Sequence, residues 1–308
     1  MLDAMDDLTR HRGGPPDSSG TRLAPSPRQL QAFLAHLGAS AARNGHLRID
    51  ARSSCVIGRF LRAELTSAFQ TIWNIASGRG EGVEALVRCA SGDGDGLSPW
   101  QLFMGVANDE QAIALDRLCR TVHALNFLRQ GERLGPEDGG FLFLKVHPRL
   151  VQAVASDHGR AFANVLEAIG LNADQVVIEL PAEISEQPAL AVHACANYRW
   201  NGFKVALDFS RPASAAQAVQ SMRPDYVKVD ARDLRNPVAS TRDAVATARA
   251  HGTVVIAKRC ELASDVAICA GLGVDLAQGF GLSLPVEQLT HRTTSPAGAP
   301  LDAASRRA

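Results

Sequence analysis

From Ala68 onward the chain alternates short unbroken apolar runs with longer segments whose apolar residues recur at helical spacing. The runs are AFQTIWNI (68–75), GVEALVRC (82–89), FLFLKV (141–146), QVVIEL (175–180), FKVALD (203–208), DYVKV (225–229), TVVIA (253–257) and VDLAQ (274–278). Continuous apolar strands are expected where a parallel sheet is covered on both faces. The segments near 98–106, 110–129, 149–170, 188–199, 214–221, 231–251 and 262–271 predict helices, the one after Asp208 capped by Ser214. Eight strands alternating with helices predict an α/β fold, a (β/α)8 TIM-like barrel. The connector ASGRGE between the first two runs is too short for a crossover helix, so that strand pair is predicted antiparallel.

The flanks follow a different pattern. Residues 1–26 carry Gly, Pro, Ser and charges without apolar periodicity and are expected to be a disordered tail. Leu30, Phe33, Leu34 and Leu37 lie at helical spacing and predict an N-terminal helix preceding the barrel, within a helical segment over 27–58. Such a helix caps the barrel bottom, closes over its mouth or offers a partner-binding face. The barrel domain is then 59–289, and 290–308 a flexible C-terminal tail.

Composition narrows the class. A chain of 308 residues with 46% hydrophobic content can bury one barrel-sized core. Lys+Arg and Asp+Glu balance at 32 each, so no overall field draws nucleic acid, and any anionic ligand must be held locally. The six cysteines, at 55, 89, 119, 195, 260 and 269, form no C-x-x-C pair, which suits reduced thiols. No apolar run is long enough to span a bilayer and no signal-peptide core precedes the barrel. The expectation is a cytoplasmic protein with no membrane contact.

Chemistry concentrates at the strand ends, where α/β barrels carry their sites. Asp208 closes one strand, and Asp230 closes the next with Lys228 two residues earlier on the same side. Glu84, Leu86 and Arg88 alternate along one strand and so share a face, either as ligand contacts or as an interior Glu–Arg pair. Lys228 is read as a phosphate or carboxylate partner or as a structural partner of Asp230. His147 before Pro148 is expected to make a helix-start or loop hydrogen bond. The three tryptophans, 73, 100 and 200, and Phe280 are expected to be barrel packing.

Taken in order, Gln70 in FQTI, Glu84-Ala85-Leu86 in GVEALVR, Glu179 in VVIEL, Asp208 in VALDF, Lys228 and Asp230 in YVKVD, and Gln278-Gly279-Phe280 in AQGF make the chain resemble the EAL-domain family of cyclic-di-GMP phosphodiesterases over roughly Arg59 to Leu289. The resemblance implies two Mg²⁺ ions held by strand-end oxygens, an attacking water between them and a lysine assisting it. It also implies a cyclic-di-GMP pocket formed by Gln70, Glu84, Leu86, Arg88, Glu179, Asp208, Lys228, Asp230 and Gln278.

The motifs depart from the family's pattern at ligand positions. Lys145 stands where the family has an asparagine, Phe209 follows Asp208 in place of a second aspartate, and Lys258 replaces a glutamate. Ala182 occupies the acid position after Glu179, SRPAS replaces a Gly-rich loop, and Leu284 stands where many relatives have an arginine. An ammonium has donors and no lone pair, so it cannot coordinate magnesium. The three ligand substitutions add about +4 of charge, the charge of two Mg²⁺ ions. Lys145 and Lys258 are therefore expected to neutralise Glu84, Glu179, Asp208 and Asp230 in place of metal. The resulting expectation is a catalytically inactive regulatory protein of cyclic-di-GMP signalling, not an enzyme, with no catalytic residue, no bound metal and no cofactor. It would act on a protein partner, with cyclic-di-GMP retention and a homodimer left open. The alternatives are a metal-independent cyclic-di-GMP receptor and an active Mg-dependent phosphodiesterase.

Overall fold

A computed structural model describes residues 47–91, 96–134, 140–153, 159–209, 212–235 and 239–289. The expected tails at 1–26 and 290–308 and the expected helix over 27–44 lie outside the described residues. The strands are β1 (Leu47–Ile49), β2 (Val56–Phe60), β3 (Ala63–Asn74), β4 (Gly80–Ser91), β5 (Gly96–Leu97), β6 (Phe141–Lys145), β7 (Val176–Leu180), β8 (Lys204–Asp208), β9 (Tyr226–Asp230), β10 (Val254–Lys258) and β11 (Leu276–Ala277). The helices used below are α1 (Pro99–Met104), α2 (Asp109–Leu134), α3 (Pro148–Ala153), α4 (Arg160–Ile169), α5 (Ala182–Ser185), α6 (Pro188–Trp200), α7 (Pro212–Met222), α8 (Ala231–Leu234), α9 (Ala239–Ala250) and α10 (Ala263–Gly271).

Eight strands, β3, β4 and β6–β11, close into a barrel. β3 pairs antiparallel with β4 on one side and β11 on the other, while β4 and β6 through β11 run parallel to one another. The antiparallel first pair follows from the short connector, which leaves no chain for a return helix. Three short strands fall outside the sequence reading. β1 and β2 form a hairpin added to β3 in the stretch expected to be helical up to residue 58, and β5 folds back on the end of β4. Two to five residues carry too little periodicity to announce a strand. The helix expected to start at Ser214 begins at Pro212, since proline suits the first helical turn and leaves Ser214 inside it.

Period-two alternation sorts each strand between two cores. Outward residues such as Phe69, Val83, Leu142, Leu144, Ile178, Val205 and Val255 pack against the helices. Inward residues Ile72, Phe143, Val177, Ala206, Tyr226, Ile256 and Leu276 fill the barrel with an apolar layer. Gly82 completes this layer because a Cβ there would lie 2.6 Å from the Phe141 carbonyl oxygen and 2.9 Å from the Phe143 ring.

Candidate functional site

Two residues beyond each member of the apolar layer, toward the C-terminal strand ends, the inward position turns polar. Lys145 follows Phe143, Glu179 follows Val177, Asp208 follows Ala206, Lys228 follows Tyr226, Lys258 follows Ile256 and Gln278 follows Leu276. Glu84 follows Gly82, and Gln70 meets the layer from the antiparallel strand, opposite Glu84. One strand period thus raises three acids, three lysines and two amides onto one level. Asp230 stands one period above Lys228, and Leu86 and Arg88 stand above Glu84.

At the centre, Lys228 is 1% exposed and donates to Glu84 Oε2 at 2.9 Å and Glu179 Oε1 at 2.5 Å. Its Nζ also lies 5.7 Å from the Phe143 ring centroid. The Gln278 side-chain amide donates to Glu84 Oε2 at 2.8 Å and to Gln70 Oε1 at 3.1 Å. Gln70 in turn donates to the Ser283 carbonyl. Lys145 reaches Glu84 Oε1 at 3.0 Å from a side chain 54% exposed, and Lys258 pairs with Asp208. Asp230 is served by arginines instead: Arg232 donates from its backbone N, Nε and Nη2, and Arg259 from Nη1 at 3.0 Å.

Burial and charge set the protonation of this group. Burial would raise the Glu84 carboxyl, but Lys145 and Lys228 outweigh it and hold Glu84 well below the usual carboxylate range. Glu179 goes the other way, pushed up by burial and by the neighbouring Glu84 against the pull of the same lysines. Its Oε2 is buried without a hydrogen-bond partner among the described residues, as is Gln278 Oε1. Lys228 is disfavoured by burial, yet Glu179 and Glu84 raise it overall. Lys145 is likewise held protonated, by Glu84 first.

Several expectations change here. Lys228 pairs with Glu84 and Glu179 and not with Asp230, since two residues along a strand move a side chain to the next level. Lys145 and Lys258 each neutralise one acid, Glu84 and Asp208, while Glu179 falls to Lys228 and Asp230 to the arginines. Arg88 does not pair with Glu84; among the described residues it meets no carboxylate, only the Val87 carbonyl. Of the four aromatic residues expected in the packing, only Trp73 is buried, donating to Ser283 Oγ, while Trp100, Trp200 and Phe280 are 70%, 91% and 65% exposed. His147 does make the helix-start bond, its Nδ1 accepting from the Arg149 backbone N–H.

Sequence reasoning missed how that loop is held. Asp116 on α2 accepts the His147 backbone N–H at 2.8 Å while pairing with the buried Arg120, and the His147 ring stacks on Phe103 of α1 at 4.5 Å. An Asp–Arg pair four apart inside a helix was the available signal.

Residues 57–285 match the family described as the EAL domain. The chain belongs to the EAL domain family. Among solved structures, the YkuI protein of Bacillus subtilis, described as having an EAL domain in complex with substrate c-di-GMP and calcium, superposes with a TM-score of 0.61 at 21% identity, covering 74% of this chain and 57% of YkuI. A standalone versatile EAL protein from Vibrio cholerae O395, c-di-GMP bound, gives 0.58 at 22% identity, with coverage of 76% and 98%. Bd1971, described as an EAL enzyme in its cAMP-bound form, gives 0.61 at 19% identity, with coverage of 85% and 69%. These likenesses establish the shared fold. No curated protein sequence matches the chain significantly.

Family membership corrects one expectation outright. The reading of this EAL domain as a non-enzyme does not stand, because the chain falls within a family whose structures include one described as an enzyme and one holding c-di-GMP as substrate. No described helix is long and apolar enough to cross a membrane.

The Mg²⁺ pair that the family implies can be tested against the residues present. Magnesium takes close to octahedral oxygen coordination at about 2.1 Å. Each acid here already accepts from an ammonium or guanidinium group. Among the described residues no three His, Cys, Asp or Glu side chains are grouped to hold a metal ion. The arrangement does not fit a metal pair.

Proposed function

We propose that this EAL domain binds cyclic-di-GMP across the barrel mouth, with Lys145 and Lys258 standing where divalent ions would otherwise neutralise the acids. The observation that carries this reading is the polar level itself, where every acid has a cationic partner, and above it Arg88 meets no carboxylate among the described residues. A pocket whose acids are neutralised from within no longer repels a phosphodiester, and a guanidinium above it supplies the fork that phosphate oxygens suit. Depth divides the candidate residues between two tasks. Gln70, Glu84, Glu179, Lys228 and Gln278 are buried and bonded to one another, so they shape the floor. Leu86, Arg88, Asp208 and Asp230, with the two outer lysines, reach the ligand. The described relatives that hold c-di-GMP support the choice of ligand.

Occupancy is read by a protein that touches the loaded barrel. Exposed Trp100 and Met104 on α1, a helix anchored at the mouth by the Phe103–His147 stack, are apolar surface that such a partner would cover.

Calorimetric titration with cyclic-di-GMP, with and without magnesium, tests the reading. Binding is expected at the same affinity in both and about tenfold weaker in Arg88→Ala, the loss of one charge-assisted contact. Linear dinucleotide is assayed in the same samples; binding or hydrolysis that requires added magnesium would overturn the metal-independent pocket.

A further inference from the structure

Asp230 is a single carboxylate shared by two guanidinium groups. Its Oδ1 accepts from the Arg232 backbone N–H and Nε, and its Oδ2 accepts from Arg232 Nη2 at 2.7 Å and Arg259 Nη1 at 3.0 Å. A guanidinium carries five N–H donors in a fixed plane. Arg232 thus commits two side-chain donors and Arg259 one, and no described acceptor takes the others. Both side chains are open to solvent, at 55% and 57%, one level above the lysine-lined floor. The acids that also act on Arg232, Glu261 and Asp233, are exposed, so solvent and salt screen them.

The backbone of Arg259 is unusual independently of these bonds. Its φ is +60°, in the left-handed region that bulky side chains rarely adopt. The turn is fixed from both sides: the Cys260 N–H donates to the Gln278 carbonyl and the Gly281 N–H to the Cys260 carbonyl. Gly279 packs so closely that a Cβ would lie 2.1 Å from the Cys260 carbonyl oxygen. Glycine would take position 259 without strain. The strain tolerated for an arginine there points to a use for its side chain.

We infer that Arg232 and Arg259, oriented by the carboxylate between them, form a phosphate clamp at the rim of the mouth, separate from the acid–lysine level. Two forks held on one anchor lose little freedom when a phosphate group binds, and each presents paired donors matched to its non-bridging oxygens. The inference rests on the nucleotide reading above and adds the part of the mouth that grips a phosphate. The chemistry fits both the phosphodiester of a cyclic dinucleotide and the terminal phosphate of a linear one.

Cyclic-di-GMP and 5′-phosphorylated linear diguanylate are titrated against the wild-type chain, Arg259→Gly, Arg232→Gln and Arg88→Ala, and each variant is also melted. Arg259→Gly removes the guanidinium and relieves the backbone, so it is expected to melt at or above the wild-type temperature while losing about tenfold in affinity. Arg232→Gln is expected to lose a similar factor. The ligand that loses affinity identifies which phosphate the clamp takes. Wild-type affinity of both arginine variants for both ligands overturns the clamp; so does a melting temperature of Arg259→Gly several degrees lower, which would make Arg259 a brace. A clamp that fails while Arg88→Ala still weakens cyclic-di-GMP leaves the nucleotide reading standing. Linear dinucleotide bound through Arg259, with no cyclic-di-GMP bound, supports the clamp and overturns the cyclic-nucleotide reading, and binding of neither ligand overturns both.

Discussion

The floor and the rim of this barrel mouth use the same residue types to opposite ends. At the floor, Lys228, Glu84 and Glu179 are 1%, 4% and 1% exposed, and the ammonium bonds both carboxylates. Toward the solvent, Lys145 at the outer edge of the floor and Arg232 and Arg259 at the rim above it keep more than half of their side-chain surface in solvent. Burial decides what a charge pair is for. A desolvated ammonium held between two buried carboxylates lies out of a ligand's reach and fixes the barrel. A half-solvated guanidinium still holds unused donors and can exchange water for phosphate.

The largest effect expected from this difference is that of Lys228→Met, which removes the ammonium bonded to Glu179 and leaves it buried beside Glu84, whose remaining cation is Lys145. Urea unfolding at neutral pH should show a loss of about 3–5 kcal/mol. A loss under about 1 kcal/mol would mean that the floor is not held by charge pairing, and the contrast with the rim would vanish.

A buried group without a counter-charge sharpens the comparison from another side. His123 on α2 is buried, bonded through Nδ1 to Ser67 Oγ at 2.7 Å, and burial, with Arg88 adding, pushes its pKa down to about 3 from 6.5. The unfolded chain therefore binds a proton below pH 6.5 that the folded chain refuses. Stability attributable to this residue is complete above that pH and falls as the pH drops toward 3, by up to about 1.4 kcal/mol per pH unit. Unfolding at stepped pH should show this slope in the wild type and its reduction in His123→Gln; equal slopes would count against a neutral buried imidazole.

Two variants of the outer lysines come last. Lys258→Ala breaks a pair whose side chains are 22% and 13% exposed and should cost on the order of 1 kcal/mol. Lys145→Ala, from a side chain 54% exposed, should cost less than about 1 kcal/mol. Thermal melts would show both, and a cost for Lys145→Ala equal to that of Lys228→Met would erase the distinction between buried and solvated charge pairs.

Much of the barrel was legible beforehand because its strands are continuous apolar runs separated by helical periodicity, a pattern that needs no distant contact to be read. Part of the candidate site stood out for a related reason: Lys145, Glu179, Asp208, Lys258 and Gln278 lie at or next to the C-terminal ends of their strands, whereas Gln70, Glu84 and Lys228 interrupt theirs from within. What stayed hidden was short or non-local. The β1–β2 hairpin and β5 are held by pairing with the long strands β3 and β4, and their own residues hold no decisive pattern. Nothing local in the sequence joins Arg232 to Arg259, and only the fold sets both beside Asp230. Trp100, Trp200 and Phe280 read as core by residue type alone, and the structure leaves them outside.

The sequence by itself determined the strand period and therefore which side chains face inward, because alternation is a property of the extended backbone. It also determined that acids and lysines end successive strands. Only the closed barrel decided which cation meets which acid. Lys228 lies 144 positions from Glu84 and 49 from Glu179, and no local rule couples residues so far apart. Closure brings strand ends from the whole chain to one level, and at that level proximity and desolvation, not sequence spacing, select the partners.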